Sequence, residues 1–186
     1  MLKLLIIFGS TRPKRGGLPV AHWVLEEARQ AGTFDVMFAD LKTVNLPLLD
    51  EPEHPAQQKY TKDHTQAWSQ TVSAADAVVF VTPEYDYFPP AALVNAIQFL
   101  AKEWAGKPIG IVSYGGVSGG LRSTQALRLL LSAVNNMTLS GSVPIAFYQQ
   151  YIKEDGVLEA NEPMKKGLHG LLTELHRMAV LVRQNQ

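Results

Sequence analysis

Three runs of apolar residues recur along the chain without alternation, at residues 4–8, 77–81 and 109–112, and a weaker fourth lies at residues 143–147. A continuous run needs cover on both faces, which is the pattern of a parallel strand between helices. Pro144 interrupts the fourth run and marks a sheet edge or a strand start, because proline cannot donate to a ladder. Residues 34–41 mix apolar with polar positions and read as a second, more exposed strand. Helical stretches are expected at residues 18–31, 63–74, 90–104, 120–135 and 163–183. Strand and helix alternate throughout, so the class is α/β. Right-handed crossovers leave few arrangements for five parallel strands, and the order 2-1-3-4-5 with helices on both faces is the commonest small one.

Composition narrows the function classes. With 186 residues and 46% hydrophobic content, the chain suits one domain spanning residues 1–186. Lys plus Arg equals Asp plus Glu at 17 each, so no overall field draws in nucleic acid or an anionic membrane surface. The chain contains no cysteine, which removes disulfides, thiol redox chemistry and thiolate metal sites. The apolar run at residues 4–8 is too short for a membrane span or a signal sequence, and the expectation is a soluble, cytoplasmic protein. A proline-rich interval at residues 45–60 reads as a surface excursion of the kind that shapes a site.

In an open parallel sheet, ligands bind beyond the carboxyl ends of the strands where the winding direction reverses, so the loops after strands one, three and four are the ones to read. The first combines Gly9, Ser10, Thr11, Arg12, Lys14, Arg15, Gly16 and Gly17 just before a helix that opens at Leu18. Glycines permit tight turns with inward amides, a helix start favours anions, and arginine adds forked donors, as a phosphate monoester requires. A plain turn with solvated arginines would have the same composition. The loop lacks both the Gly-Lys-Ser/Thr ending of a nucleotide P-loop and the G-x-G-x-x-G dinucleotide pattern. The second loop, residues 82–90, holds three aromatics, Tyr85, Tyr87 and Phe88, among prolines. Tyr85 is the favoured contact for a planar ring, and core cover is the alternative for any of the three. The third, residues 113–120, has two glycine pairs that let main chain approach a bound group or simply turn.

Together these residues resemble the NAD(P)H-dependent FMN reductases, a family that includes quinone, azo-dye and chromate reductases. The resemblance covers nearly the whole chain. It rests on Gly-Ser-Thr-Arg at 9–12, Pro-Glu-Tyr at 83–85 with Asn95-Ala96-Ile97 in the next helix, and Ser-Tyr-Gly-Gly at 113–116. It implies a flavodoxin-like fold. It also implies that Ser10, Arg12 and the stretch holding Arg15, Gly17 and Leu18 bind the FMN phosphate. Pro83, Glu84, Tyr85 and Asp86 would line the isoalloxazine ring, with Ser113, Tyr114, Gly115 and Gly116 on its other side. The implied chemistry is hydride transfer from NADPH or NADH to FMN, then to a quinone, flavin, azo or metal-oxyanion acceptor, in a homodimer or homotetramer. The flavin supplies the difficult chemistry, so no catalytic acid or base is nominated. An FMN-binding electron-transfer or regulatory protein with little NAD(P)H turnover is the alternative, and a site for another phosphorylated ligand is a third reading.

Several residues remain. The family commonly has asparagine where this chain has Asp86, and a carboxylate accepts hydrogen bonds without donating. Close to the flavin, its charge would lower the reduction potential, and an unchanged potential in Asp86→Asn would count against that. A bond from its side chain to nearby amides is the plainer role. Leu93, Val94, Ile97, Phe99, Leu100 and Trp104 give the helix at residues 90–104 more apolar surface than one buried stripe needs, suggesting a subunit contact. Arg122 and Arg128 are placed to meet a nucleotide phosphate or an acidic neighbour. The five histidines have no metal-ligand spacing.

Overall fold

The computed structural model describes residues 1–136 and 138–185. Five parallel strands, β1 (Leu2–Phe8), β2 (Phe34–Asp40), β3 (Ala77–Pro83), β4 (Ile109–Gly115) and β5 (Val143–Ala146), pair in the order β2-β1-β3-β4-β5. The expected flavodoxin-like arrangement is therefore present. The helices are α1 (Leu18–Ala31), α2 (Leu41–Val44), α3 (Asp63–Ser73), α4 (Ala91–Gln98), α5 (Leu121–Ser132) and α6 (Glu162–Gln184). Alternate residues of β1 feed two cores. Leu4, Ile6 and Phe8 pack with Trp23, Val24, Leu172 and Leu175 from α1 and α6. Leu5 and Ile7 pack with Trp68, Leu93, Ile97 and Leu127 from α3, α4 and α5. The chain winds one way from β1 to β2 and the other way from β3 onward, so the loops after β1 and β3 diverge and leave a crevice between them. Pro144 lies on the exposed edge strand β5, where its missing N–H costs nothing.

Helix α4 is shorter than its apolar periodicity suggests. The indole N–H of Trp104 donates to the carbonyl of Ile97 at 3.0 Å, and that of Trp68 to the carbonyl of Ala96 at 2.8 Å. These side chains satisfy carbonyls at the helix end and let the chain fold back in tight turns. Leu93, Ile97, Phe99, Leu100 and Trp104 are all at most 1% exposed within this one chain. Of the apolar excess expected to face a partner subunit, these five are core and only Val94 stays half-buried, so it argues little for a subunit contact. Helix α5 likewise stops at Ser132, with residues 133–135 in turns.

The excursion at residues 45–60 is strapped down at several points. Asn95 on α4 accepts from the Leu49 amide at 3.0 Å and donates to the Pro47 carbonyl at 2.7 Å, so this motif residue fastens the excursion to the site's helix. Glu51 accepts from the amides of Thr61 and Lys62, at 2.9 and 3.0 Å, at the start of α3. Partial burial works against its charge, but these bonds and the one from the Thr61 hydroxyl at 2.9 Å outweigh it and bring its pKa down to about 2. The buried Glu103 accepts from Ser69 and Tyr60 at 2.7 and 2.9 Å, which holds the far end of the excursion.

Candidate functional site

The loops after β1, β3 and β4 meet at the carboxyl edge of the sheet around a cavity of 230 Å³, lined by residues of all three. Gly9 anchors the first loop through an amide bond to Val81 at 2.9 Å. Beyond it, no backbone amide from Ser10 to Gly17 donates to an acceptor among the described residues. That leaves a run of amides without protein acceptors at the opening of α1, as an anion site requires. Ser10 is fully buried, and its Oγ meets the Tyr85 hydroxyl at 2.8 Å.

The cations of this loop divide into two roles. Arg15 forms a two-pronged ion pair with Asp40 at the end of β2, through Nη1–Oδ1 and through Nη2–Oδ2 at 2.6 Å, and also donates to the Ser10 carbonyl at 2.9 Å. Its guanidinium is thus a strut that fixes the loop at the lining of the cavity. Arg12 is exposed, lies over the Tyr85 ring at 5.5 Å, and is not ion-paired among the described residues. It is the arginine placed to meet an anion.

Gly17 caps α1 at an ordinary φ of −88° and is required by space. A Cβ there would overlap Tyr114 Cζ, Oη and Cε2, all nearer than any real Cβ contact. Tyr114, expected at the ring, instead sends its side chain beneath the phosphate loop, where it is 3% exposed and packs edge-on against Tyr148 with centroids 4.8 Å apart. Burial, reinforced by Tyr85 and Tyr148 beside it, keeps its hydroxyl protonated. Leu18 opens α1 and packs on the core.

The second loop is a two-residue hairpin. Tyr85 and Phe88 exchange both backbone bonds at 2.9 Å, and the residues between them, Asp86 (φ 49°) and Tyr87 (φ 74°), are left-handed. Two positive φ values are the type I′ pattern, in which aspartate and asparagine are tolerated at the first position. Among the described residues the Asp86 carboxylate accepts no amide bond, so main-chain pairing holds the turn in place of the side-chain bond expected for it. Pro83 ends β3 and is buried.

Glu84 borders the crevice, and its carboxylate is bound by the third loop and the start of α5. It accepts from Ser118 Oγ at 2.7 Å and the Arg122 amide at 3.1 Å, and pairs with Arg122 Nη1 at 2.6 Å. Burial opposes its charge, yet these bonds win and hold its pKa below the usual 4.5. Arg122 also lies 4.2 Å from the centroid of the exposed Tyr87 ring. The pair clamps the second loop to the third. Arg128 instead binds the carbonyls of Leu139 and Ser140, the latter at 2.8 Å.

In the third loop, Ser113 Oγ is buried and donates to the Gly119 carbonyl at 2.9 Å. Gly120 has φ 86°, and a Cβ on it would stand 2.8 Å from the Tyr114 amide nitrogen, so only glycine fits. Gly115 ends β4, while a Cβ on Gly116 would meet nothing within 4 Å. Gly116 leaves an open ledge beside the Pro83–Tyr85 main chain, suited to a flat ring. The motif reading missed the contribution of β5. Tyr148 and Gln149 line the same cavity, and the adjacency of β5 to β4 was the signal that could have found them.

Similarity to known proteins agrees with this layout. The model of the family "NADPH-dependent FMN reductase" matches residues 2–150. An NAD(P)H-dependent FMN reductase of Schizosaccharomyces pombe is 45% identical over 120 residues, covering 63% of this chain and 60% of that protein. One from Saccharomyces cerevisiae is 37% identical over 151 residues, covering 75% and 78%. A quinone reductase of Escherichia coli is 40% identical over 80 residues, covering 40% and 43%. Among solved structures, the flavoenzyme NAD(P)H:(acceptor) oxidoreductase FerB of Paracoccus denitrificans superposes with a TM-score of 0.75 at 21% identity, over 97% and 98% of the two chains, a likeness of fold. On the family match over residues 2–150, the chain belongs to the NADPH-dependent FMN reductase family.

Proposed function

We propose that this protein binds FMN at the carboxyl edge of β1, β3 and β4 and uses it to carry hydride from NAD(P)H to a small-molecule acceptor of the quinone class. The observation that carries the reading is the run of amides from Ser10 to Gly17 without protein acceptors, in a loop that lines one cavity with buried Ser10 and exposed Arg12. These donors suit a phosphate monoester, and the ledge at Gly116 with the Pro83–Tyr85 main chain suits a flat ring. When bound, FMN supplies the hydride and electron chemistry. The protein's part is to hold it rigidly. The Arg15–Asp40 strut fixes the phosphate loop, the Glu84–Arg122 clamp fixes the ring loop, and no side chain is needed as acid or base.

Among the described residues no helix is long and apolar enough to cross a membrane. The surface offered for self-association is the exposed side of α5 and the groove beside it. Leu49, Ile97, Leu100, Leu130 and Val134 border a groove of 630 Å³ between α4 and α5, and Leu129 on α5 is 77% exposed. Sedimentation of the wild type against Leu129→Glu tests this, with a dimer expected to become a monomer.

The activity test is steady-state turnover of the FMN-loaded protein with NADPH and NADH against quinones, an azo dye, chromate and free flavin. Parallel initial-velocity lines with at least one quinone are expected. FMN binding without turnover of any acceptor would mark an electron-transfer protein and refute the oxidoreductase reading.

A further inference from the structure

Three loops at the carboxyl edge carry family motifs. The fourth, after β5, carries none, yet it reaches the phosphate loop. Phe147 adopts a left-handed conformation (φ 47°) and turns the chain into a single 3-10 turn, Tyr148–Tyr151. The reversal throws Tyr148 back over the crevice. Its ring rests edge-on against buried Tyr114, and its hydroxyl lies 2.8 Å from where a Cβ on Gly16 would stand.

The surroundings of that hydroxyl select its partner. Arg12 and Tyr85 are its polar neighbours, and burial keeps it protonated, so it is a neutral donor. Of the carboxylates on and beside these loops, Asp40 is paired with Arg15, Glu84 is paired with Arg122, and Asp86 lies at the exposed tip of the hairpin, outside the residues that line the cavity. The hydroxyl therefore stands beside the loop at Gly16 and near the Arg12 cation, and among the described residues it makes no hydrogen bond of its own. Donors converging from two sides leave room for a multivalent acceptor.

We propose that Tyr148 forms a wall of the phosphate site, donating its hydroxyl to the terminal phosphate held by the 10–17 loop, and so helps to select FMN over riboflavin. This rests on the FMN reading above. Losing a hydrogen bond to a charged group weakens binding by about tenfold to a hundredfold.

The test is Tyr148→Phe, which removes one oxygen and keeps the ring against Tyr114. Wild type and variant are titrated with FMN and, separately, with riboflavin, following flavin fluorescence, and thermal unfolding of both confirms folding. The expected result is FMN affinity lower by about tenfold or more, riboflavin affinity unchanged, and an unchanged melting temperature. Unchanged FMN affinity would overturn the proposal, and so would equal weakening of both ligands, which would mark a role at the ring or in packing. Should wild type bind no FMN, the FMN reading itself fails and this proposal falls with it. Should wild type bind both ligands equally, the phosphate site is absent although a flavin site remains. A Tyr148→Leu variant, which also removes the ring, is expected to lower the melting temperature where Tyr148→Phe does not.

Discussion

Replacing Gly17 with alanine adds one methyl group at the joint between the phosphate loop and the core. Its Cβ would overlap three atoms of the Tyr114 ring, falling short of the carbon–carbon optimum of about 3.5–4.0 Å by more than about 1 Å. Tyr114 is 3% exposed and braced by Tyr148, so it cannot swing aside freely. Overpacking of this kind costs about 1–3 kcal/mol. Gly17 has φ −88°, so alanine meets no backbone strain, and the reduced freedom of the unfolded chain returns about 0.4–1 kcal/mol. Loss of glycine at an N-cap subtracts a few tenths again. The expected net loss is about 0.3–3 kcal/mol and centres near about 1.5 kcal/mol, read as a lower urea midpoint with unchanged slope. Because the cost is a collision with one ring, Gly17→Ala and Tyr114→Leu should couple, the double variant being more stable than their sum by over about 0.5 kcal/mol. Additive effects, or a Gly17→Ala variant within about 0.3 kcal/mol of wild type, would refute the steric reasoning.

Three further outcomes are expected. Asp40→Ala leaves the Arg15 guanidinium half-buried without its partner and should destabilise by about 2 kcal/mol, measured by urea unfolding, whereas Lys14→Ala on the exposed side of the same loop should stay within about 0.5 kcal/mol. Glu84 is held below its usual pKa of 4.5 in the folded protein, so its stabilising bonds are fully present above that value and are lost as pH falls through the lowered folded pKa. A Glu84→Gln variant should therefore lose stability at neutral pH and show a shallower decline on acidification than wild type, checked by melting temperature across that range. At Asp86, with φ 49°, Asn or Gly should be accepted within about 0.5 kcal/mol while Val should cost about 1–2 kcal/mol, since a β-branched side chain clashes in the left-handed region.

The strands that build the site were legible because burial on both faces forbids polar interruptions, as in residues 4–8 and 77–81. The three loops were legible because glycine, proline and hydroxyl residues cluster right after those runs. What escaped were pairings across sequence distance. Nothing in the loop names Asp40 as the partner of Arg15, yet the β1–β2 register sets Phe8 beside Asp40 and so brings that carboxylate to the loop. The glycine motif around Tyr114 does not reveal where its side chain packs, whereas strand alternation turns that side chain to the α1 face and its neighbour Ser113 to the other. Helix α4 was drawn too long because apolar spacing continues through Trp104, and spacing alone does not reveal that indoles will take the last carbonyls. Tyr148 follows a four-residue strand and a non-glycine left-handed residue, so no local pattern marks it.

The most direct test of the central claim is an anaerobic titration of the FMN-loaded protein with NADPH, and separately with NADH, watching the visible flavin band, followed by one equivalent of a quinone. Loss of the band with about one equivalent of at least one nucleotide and its return on adding quinone is the expected result, since a two-electron carrier takes one hydride and passes it on. A protein that binds no FMN, or whose bound FMN keeps its colour with both nucleotides, would contradict the account.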